Sequence, residues 1–335
     1  MGQEVRPGRK TAITPKDEAQ SELLFNRLKK RNRHLKKWAR RTGTEAYRIY
    51  DRDIPEIPLL LEIYGGAVCG ALYKRPYEKD ETEEENWLSA MKAAISASLE
   101  IDEKFIFLRE RRRLKNRQEG FQYERNTGTA DFLRDVHEGD LAFRVNLSGY
   151  LDTGLFLDAR KKRRLILEES SGKRVLNLFA YTCTLSVCAA KGGAASVDSV
   201  DLSNTYLNWG KTNFTLNGLK EQPLIRSDVF QFIAEAKKKG LKWDTIILDP
   251  PTFSNSKKMK GTLDIKRDHA ELIKRCLYLL SPGGRLWFSS NARGLSLDAD
   301  EYPGFTLKDM GPSLMDEDFK GKRMPLCVLF TDGLK

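Results

Sequence analysis

Three aspartates stand just past short apolar runs: Asp201 after 196–200, Asp228 after 223–226 and Asp249 after Thr245-Ile246-Ile247-Leu248. Acids at the carboxyl ends of strands border the crevice in which open α/β sheets bind ligands. Asp249 is followed by Pro250, Pro251, Thr252 and Phe253. Consecutive prolines forbid a helix and a ladder hydrogen bond, so the exit is a stiff loop; an acid and an aromatic ring on a stiff loop suit a planar substrate. An earlier run, 175–178, empties into Phe179-Ala180-Tyr181-Thr182-Cys183-Thr184, without the glycine fingerprint that a dinucleotide's diphosphate demands. A ligand joining an amino acid to an adenosine needs polar groups and a looser turn, which describes S-adenosylmethionine. Asp201, with Ser203 beside it, is placed to accept both ribose hydroxyls, and Asp228, with the amide of Val229, to read the adenine edge. Singly, Asp201 and Asp228 read as helix caps; three acids in register favour a cofactor site.

The elements that must position these residues alternate strictly after Tyr150. Runs at 175–178, 196–200, 223–226, 245–248 and 285–289 predict strands, and helical periodicity at 184–191, 204–217, 230–239 and 266–280 predicts the helices between them, with stops at Gly218 and Gly240. That order implies a Rossmann-like α/β domain over 150–335, its sheet mostly parallel with helices on both faces. Runs at 305–310 and 326–330 add an antiparallel pair at the sheet edge.

Ahead of it, a flexible tail is expected over 1–20 and a smaller α+β domain over 21–149. Leu24, Leu28, Leu35 and Trp38 recur at helical spacing, with a stop at Gly43. The other face carries Arg27, Lys29, Lys30, Arg31, Arg33, Lys36, Lys37, Arg40 and Arg41 without an acid between them. Such a density repels itself unless an anion lies against it, and nucleic-acid backbone is the preferred partner over a merely solvated face. Strands follow at 47–50, 59–64 and 67–73, Gly65-Gly66 giving a two-residue hairpin turn. A helix then opens on Glu83, Glu84 and Glu85 and buries Trp87, Leu88, Met91, Ala94 and Ile95. The run 105–108 leads into a second basic cluster, Arg109 to Arg117, with Phe121 and Tyr123 after it. Arg111, Arg112 and Arg113 beside aromatics suit RNA with splayed bases. Strands at 132–137 and 141–147 are expected to close this first domain.

Composition fits this reading. The 335 residues carry 58 Lys and Arg against 47 Asp and Glu, a formal charge of +11 that favours a polyanionic partner. Five cysteines without a Cys-x-x-Cys pair suit buried thiols in a reducing compartment, with neither a disulfide framework nor a metal site. No run is long and apolar enough to span a bilayer, and the N-terminus has no apolar signal core, so a cytoplasmic location without a membrane partner is expected.

The strings Asp152-Thr153-Gly154-Leu155-Phe156-Leu157-Asp158, Asn177-Leu178-Phe179-Ala180-Tyr181-Thr182 and Asp249 to Lys257 resemble the class I S-adenosylmethionine-dependent methyltransferases. Within them the chain is similar to the C-terminal, guanine-N7-methylating half of the bifunctional bacterial 23S ribosomal RNA methyltransferases, from about Phe25 to Phe330. The resemblance implies that Phe156 and Asp158 help to close the cofactor pocket and that Asn177, Phe179, Ala180, Tyr181 and Thr182 hold the methionine end. It implies a 23S rRNA substrate met before or during subunit assembly. The partner half, which methylates an exocyclic amine, is not in the chain, so a free-standing version is expected. One departure stands out: the family usually has glycine at Cys183, and a side chain there is expected to narrow the turn.

Reaction chemistry separates the relatives. A cytosine-C5 enzyme needs a cysteine nucleophile, which the related enzymes carry just after the fifth strand. Here that run is Phe288-Ser289-Ser290-Asn291-Ala292-Arg293-Gly294. Guanine N7 already has a free lone pair, so its methylation needs alignment and tolerance of positive charge rather than a base. Asp249, Pro250, Pro251 and Phe253 are the candidates for that task, and His269 is read as structural or RNA-contacting. The rivals are an exocyclic-amine RNA methyltransferase and a catalytically silent RNA-binding assembly factor.

Overall fold

Leu24, Leu28, Leu35 and Trp38 lie on the buried stripe of one long helix, α1 (Pro15–Thr42), which ends at Gly43 in the left-handed region (φ 65°). The computed structural model describes residues 13–73, 80–111, 130–255 and 261–333. It divides into two units, 1–114 and 115–335. Helix α1 begins at Pro15 rather than at 21, because Thr14 and Asp17 form a reciprocal capping box. The expected tail is thus shorter than 1–20, and residues 1–12 lie outside the described residues.

In the first unit α1 is followed by β1 (Ala46–Asp51), β2 (Leu59–Tyr64), β3 (Ala67–Tyr73), α2 (Glu81–Leu99) and β4 (Ile106–Arg111). The strands form a sheet in the order β1-β2-β3-β4. Gly65 and Gly66 both have positive φ, 54° and 85°, as the two-residue turn between β2 and β3 requires. β3 and β4 are parallel, so α2 is the crossover between them. Trp38, Tyr50, Leu61, Trp87 and Ile95 share one core, and the Trp87 indole donates to buried Gln20 at 2.6 Å.

The second unit opens with a hairpin, β5 (Leu133–Glu138) and β6 (Leu141–Asn146), and continues with α3 (Arg160–Glu169), β7 (Arg174–Leu178), α4 (Thr184–Lys191), β8 (Ser196–Asp201), α5 (Asn204–Leu216), β9 (Leu224–Arg226), α6 (Val229–Lys238) and β10 (Trp243–Leu248). Two short strands, β11 (Phe253–Ser254) and β12 (Leu263–Asp264), pair ahead of α7 (Ile265–Tyr278). Then come β13 (Leu280–Ser290), β14 (Phe305–Asp309), α8 (Gly311–Leu314) and β15 (Leu326–Asp332). The seven-stranded sheet has the order β14-β15-β13-β10-β7-β8-β9. Its five strands from β13 to β9 are parallel, and β15 runs antiparallel between β13 and β14. Strand order reverses at β7, which places a ligand crevice beyond the carboxyl ends of β7 and β10. Among the described residues no helix is long and apolar enough to cross a membrane.

The structure corrects the placement of one hairpin. The β5–β6 hairpin belongs to the second unit, not the first: Asn213 of α5 and Asn217, its C-cap, accept from the Arg144 and Ala142 amides at 2.9 Å, and the Trp209 indole donates to the Arg144 carbonyl at 2.8 Å. The expected boundary at 149/150 therefore gives way to the one at 114/115. Helix α3 had no expectation at all. It begins with five consecutive cations, yet Arg160, Lys162 and Arg163 are buried, each against a carboxylate described below.

Candidate functional site

The loop after β7 is folded in an unusual way. Phe179, Tyr181 and Cys183 all have positive φ, 57°, 51° and 60°, a region that disfavours side-chain-bearing residues and concentrates at functional sites. Tertiary contacts hold each step. The Ala180 amide donates to the Val200 carbonyl at 3.0 Å, the Tyr181 amide to Asp201 Oδ2 at 2.9 Å, and the Thr182 hydroxyl to the Gly154 carbonyl at 2.6 Å. The Thr182 carbonyl in turn accepts from Asn213 at 2.9 Å. The loop over 152–158 and the loop after β8 are thereby tied to this one turn.

Asp201 ends β8 and accepts the Ser203 amide on its other oxygen at 2.8 Å. A carboxylate has about four lone-pair positions, so each oxygen retains capacity for a ligand hydroxyl. Burial raises the Asp201 pKa, only partly offset by the amides of Ser203, Tyr181 and Leu202. Ser203, not Asp201, is the N-cap of α5, accepting from Tyr206. Asp228 is the N-cap of α6 and accepts the Gln231 amide at 3.1 Å, with Val229 as the first helical residue. Phe156 is 47% exposed, and its ring lies 5.3 Å from Tyr181, which lies 4.5 Å from Tyr206. Asp158 sits in the single turn leading into α3. Asn177 is placed differently: it is buried within β7 and donates to Ser186 of α4 at 2.8 Å.

Cys183 does not narrow the turn. Its side chain is fully buried and points at α5, where a Cβ on Gly210 would meet Sγ at 2.5 Å. Glycine at 210 makes room for the thiol. Burial, with Asp201 nearby, pushes this thiol up to about 12.

Beyond β10, Asp249 is half-buried, Pro250 buried and Phe253 half-buried, with Phe253 opposite Asp264 in the β11–β12 pair. Asp249 Oδ2 accepts from Lys162 Nζ at 2.9 Å, a partner that sequence reasoning missed. Arg163 of the same helix pairs with Glu138 and donates to the Phe156 carbonyl, each at 2.8 Å, and Arg160 pairs with Asp318 at 2.9 Å. His269 Nδ1 lies 3.1 Å from the Ile265 carbonyl, as a structural residue of α7 would. Cys327 faces Ser289 across the β13–β15 ladder; its thiol is pushed up to about 11, chiefly by burial. Among the described residues no cluster of His, Cys, Asp and Glu could hold a metal ion.

In the first unit Lys29, Lys30, Arg33, Lys36 and Lys37 of α1 are exposed. Arg31 is not like them: its Nε donates to the Ile49 carbonyl at 3.0 Å, while Arg27 pairs with Asp53 at 2.8 Å. The side chain of Arg111 and all of Arg112 and Arg113 lie outside the described residues.

A parallel sheet reversing at β7, an antiparallel strand inserted next to its edge and acids at consecutive strand ends define a class I methyltransferase. The chain belongs to the S-adenosylmethionine-dependent methyltransferase family, whose model matches residues 61–302. It is 45% identical, over 95% of its own length and 87% of the other's, to the ribosomal RNA large subunit methyltransferase K of Neisseria meningitidis. It is 42% identical to the K/L methyltransferase of Pseudomonas aeruginosa, of which it spans 40%. A crystal structure of a methyltransferase complexed with SAH shares the fold, with a TM-score of 0.72, 23% identity, and coverage of 93% of this chain and 81% of that one.

Proposed function

We propose that the protein methylates guanine N7 in 23S ribosomal RNA, in the cytoplasm and before or during assembly of the large subunit. The observation that carries this reading is the 45% identity, along nearly the whole chain, to a methyltransferase named for large-subunit ribosomal RNA. The site fits the chemistry. Bound S-adenosylmethionine supplies a sulfonium methyl: the N7 lone pair takes the methyl as the S–C bond breaks, the bonding pair stays on sulfur, and positive charge passes to the purine with no proton lost.

Asp201 would hold the ribose, Asp228 and the Val229 amide the adenine, and Phe179 to Thr182 with Phe156 and Asp158 the methionine end. Asn177 would act from below by fixing Ser186. Asp249 and the Pro250 and Pro251 carbonyls would orient the guanine, and Phe253 would stack on it. The buried thiols Cys183 and Cys327, both well above neutral pH, suit a reaction without a cysteine nucleophile. Mass spectrometry of nucleosides from rRNA incubated with the protein and labelled cofactor tests the reading. N7-methylguanosine is expected; label on an exocyclic amine or at cytosine C5 instead would overturn it.

The exposed cations of α1, with Arg111, Arg112 and Arg113, would carry the RNA backbone. Replacing Lys29, Lys30, Arg33 and Lys36 together should flatten the salt dependence of RNA binding. Each lost phosphate contact reduces the slope of log K against log salt by about 0.7–0.9, so roughly three in all. Filter binding across a salt series reads it, and an unchanged slope would mean a merely solvated face.

A further inference from the structure

Lys162 stands in the first turns of α3, and its side chain is only 3% exposed. Its ammonium donates to Asp249 Oδ2 at 2.9 Å and to the Ser289 hydroxyl at 2.6 Å. It therefore joins α3, the loop after β10 and the end of β13 beneath the acid that the proposed reaction uses. Asp249 is the exposed member of the pair, its side chain 38% accessible. Burial works to lower the Lys162 pKa, but Asp249 above all, with Cys327 and Asp158 adding, outweighs it and holds the ammonium above its ordinary value.

Stability alone gives poor grounds for a charge at this position. Burying an ammonium costs several kcal/mol, and an apolar side chain of similar volume commonly does as well or better than a buried ion pair. The charge has a use in the chemistry. Methyl transfer from a sulfonium to N7 moves one positive charge from cofactor to base without creating any. A bare carboxylate beside that path attracts the cation at both ends, holding the cationic cofactor before transfer and the cationic purine after it. An ammonium on its far oxygen offsets that attraction and fixes which oxygen is presented.

We propose that Lys162 is a positioning residue, acting through Asp249, which makes the acid an oriented, charge-balanced acceptor at the transfer site rather than a free anion. The proposal rests on the reading of Asp249 as part of that site, and its test reads only the charge of the cofactor, whichever base is methylated.

The test compares the cationic cofactor with its neutral product, S-adenosylhomocysteine, by calorimetry on the full chain. Lys162→Met removes the buried positive charge and keeps the volume. S-adenosylmethionine should gain on S-adenosylhomocysteine, the ratio of their Kd values shifting about fivefold, as one uncompensated charge at moderate dielectric implies. Adding Asp249→Asn, which removes the remaining charge, should bring the ratio back to within about twofold of the parent. Should Lys162→Met fail to fold, Lys162→Gln carries the same expectation, because it loses the charge and keeps a donor to Asp249. A ratio within twofold of the parent in the single variant, or both ligands weakened by one common factor, would reduce Lys162 to a structural ion pair. The readout needs no RNA, so a wrong base in the nucleoside experiment would leave this result standing, and the reverse.

Discussion

Asp201→Ala is expected to weaken S-adenosylmethionine binding by about 1.5–3 kcal/mol, roughly 10- to 150-fold in Kd. Two losses combine. The ribose loses a charged acceptor, and the Tyr181 and Ser203 amides lose the oxygens that they donate to at 2.9 and 2.8 Å. Tyr181 holds a strained backbone, so the turn proposed to bear the methionine end relaxes as well. The pH dependence has a definite sign. Burial raises the Asp201 pKa in the free protein, and ribose hydroxyls donate more strongly to the ionised form, whose two oxygens both accept, so the bound state lowers it again. Cofactor affinity is then constant well above the raised pKa and falls by up to about tenfold per pH unit as the pH drops through it. Calorimetry from neutral pH downward measures both. An Asp201→Ala affinity within twofold of the parent would move the ribose elsewhere, and an affinity flat to the acid limit of folding would remove Asp201 from the linkage.

Phe253→Ala should slow RNA-dependent turnover by about 1–3 kcal/mol, the worth of one base–aromatic stack, while cofactor affinity stays within twofold. Asp249→Asn keeps the shape and removes the charge. Because Lys162 already offsets that charge at 2.9 Å, the main loss is of orientation: the amide can turn its NH2 toward Lys162 or toward the base, and one of the two contacts becomes repulsive. Turnover should fall by more than cofactor affinity does. Single-turnover rates on rRNA, beside cofactor Kd values for each variant, separate the effects. A Phe253→Ala rate equal to the parent's would take the ring out of base stacking.

The succession of strands and helices along the second unit was legible because each strand announces itself locally, by an apolar run. The acids at 201, 228 and 249 were legible for the same reason. What escaped was ionic and distant. The five cations at the start of α3 carried no expectation because their partners lie far along the chain, Asp249 87 residues away from Lys162 and Asp318 158 away from Arg160. The hairpin was placed in the wrong unit because its own residues hold no trace of Asn213 and Asn217, 69 and 75 residues further on. Arg31 looked like its neighbours on α1 until its bond to Ile49 set it apart. Residues 15–20 were assigned to a tail since their burial depends on polar groups, Asp17 and Gln20, which apolar periodicity does not register.

Cys183 and Gly210 fill one volume between them. Neither position can then be understood, or exchanged, alone. Alanine at 210 drives its methyl into the thiol, whereas the same alanine is expected to be harmless once 183 is glycine, which also adopts the backbone's 60° φ without strain. The tolerance of one site is written at the other, and a path that replaces both residues has a preferred order: 183 first, 210 second.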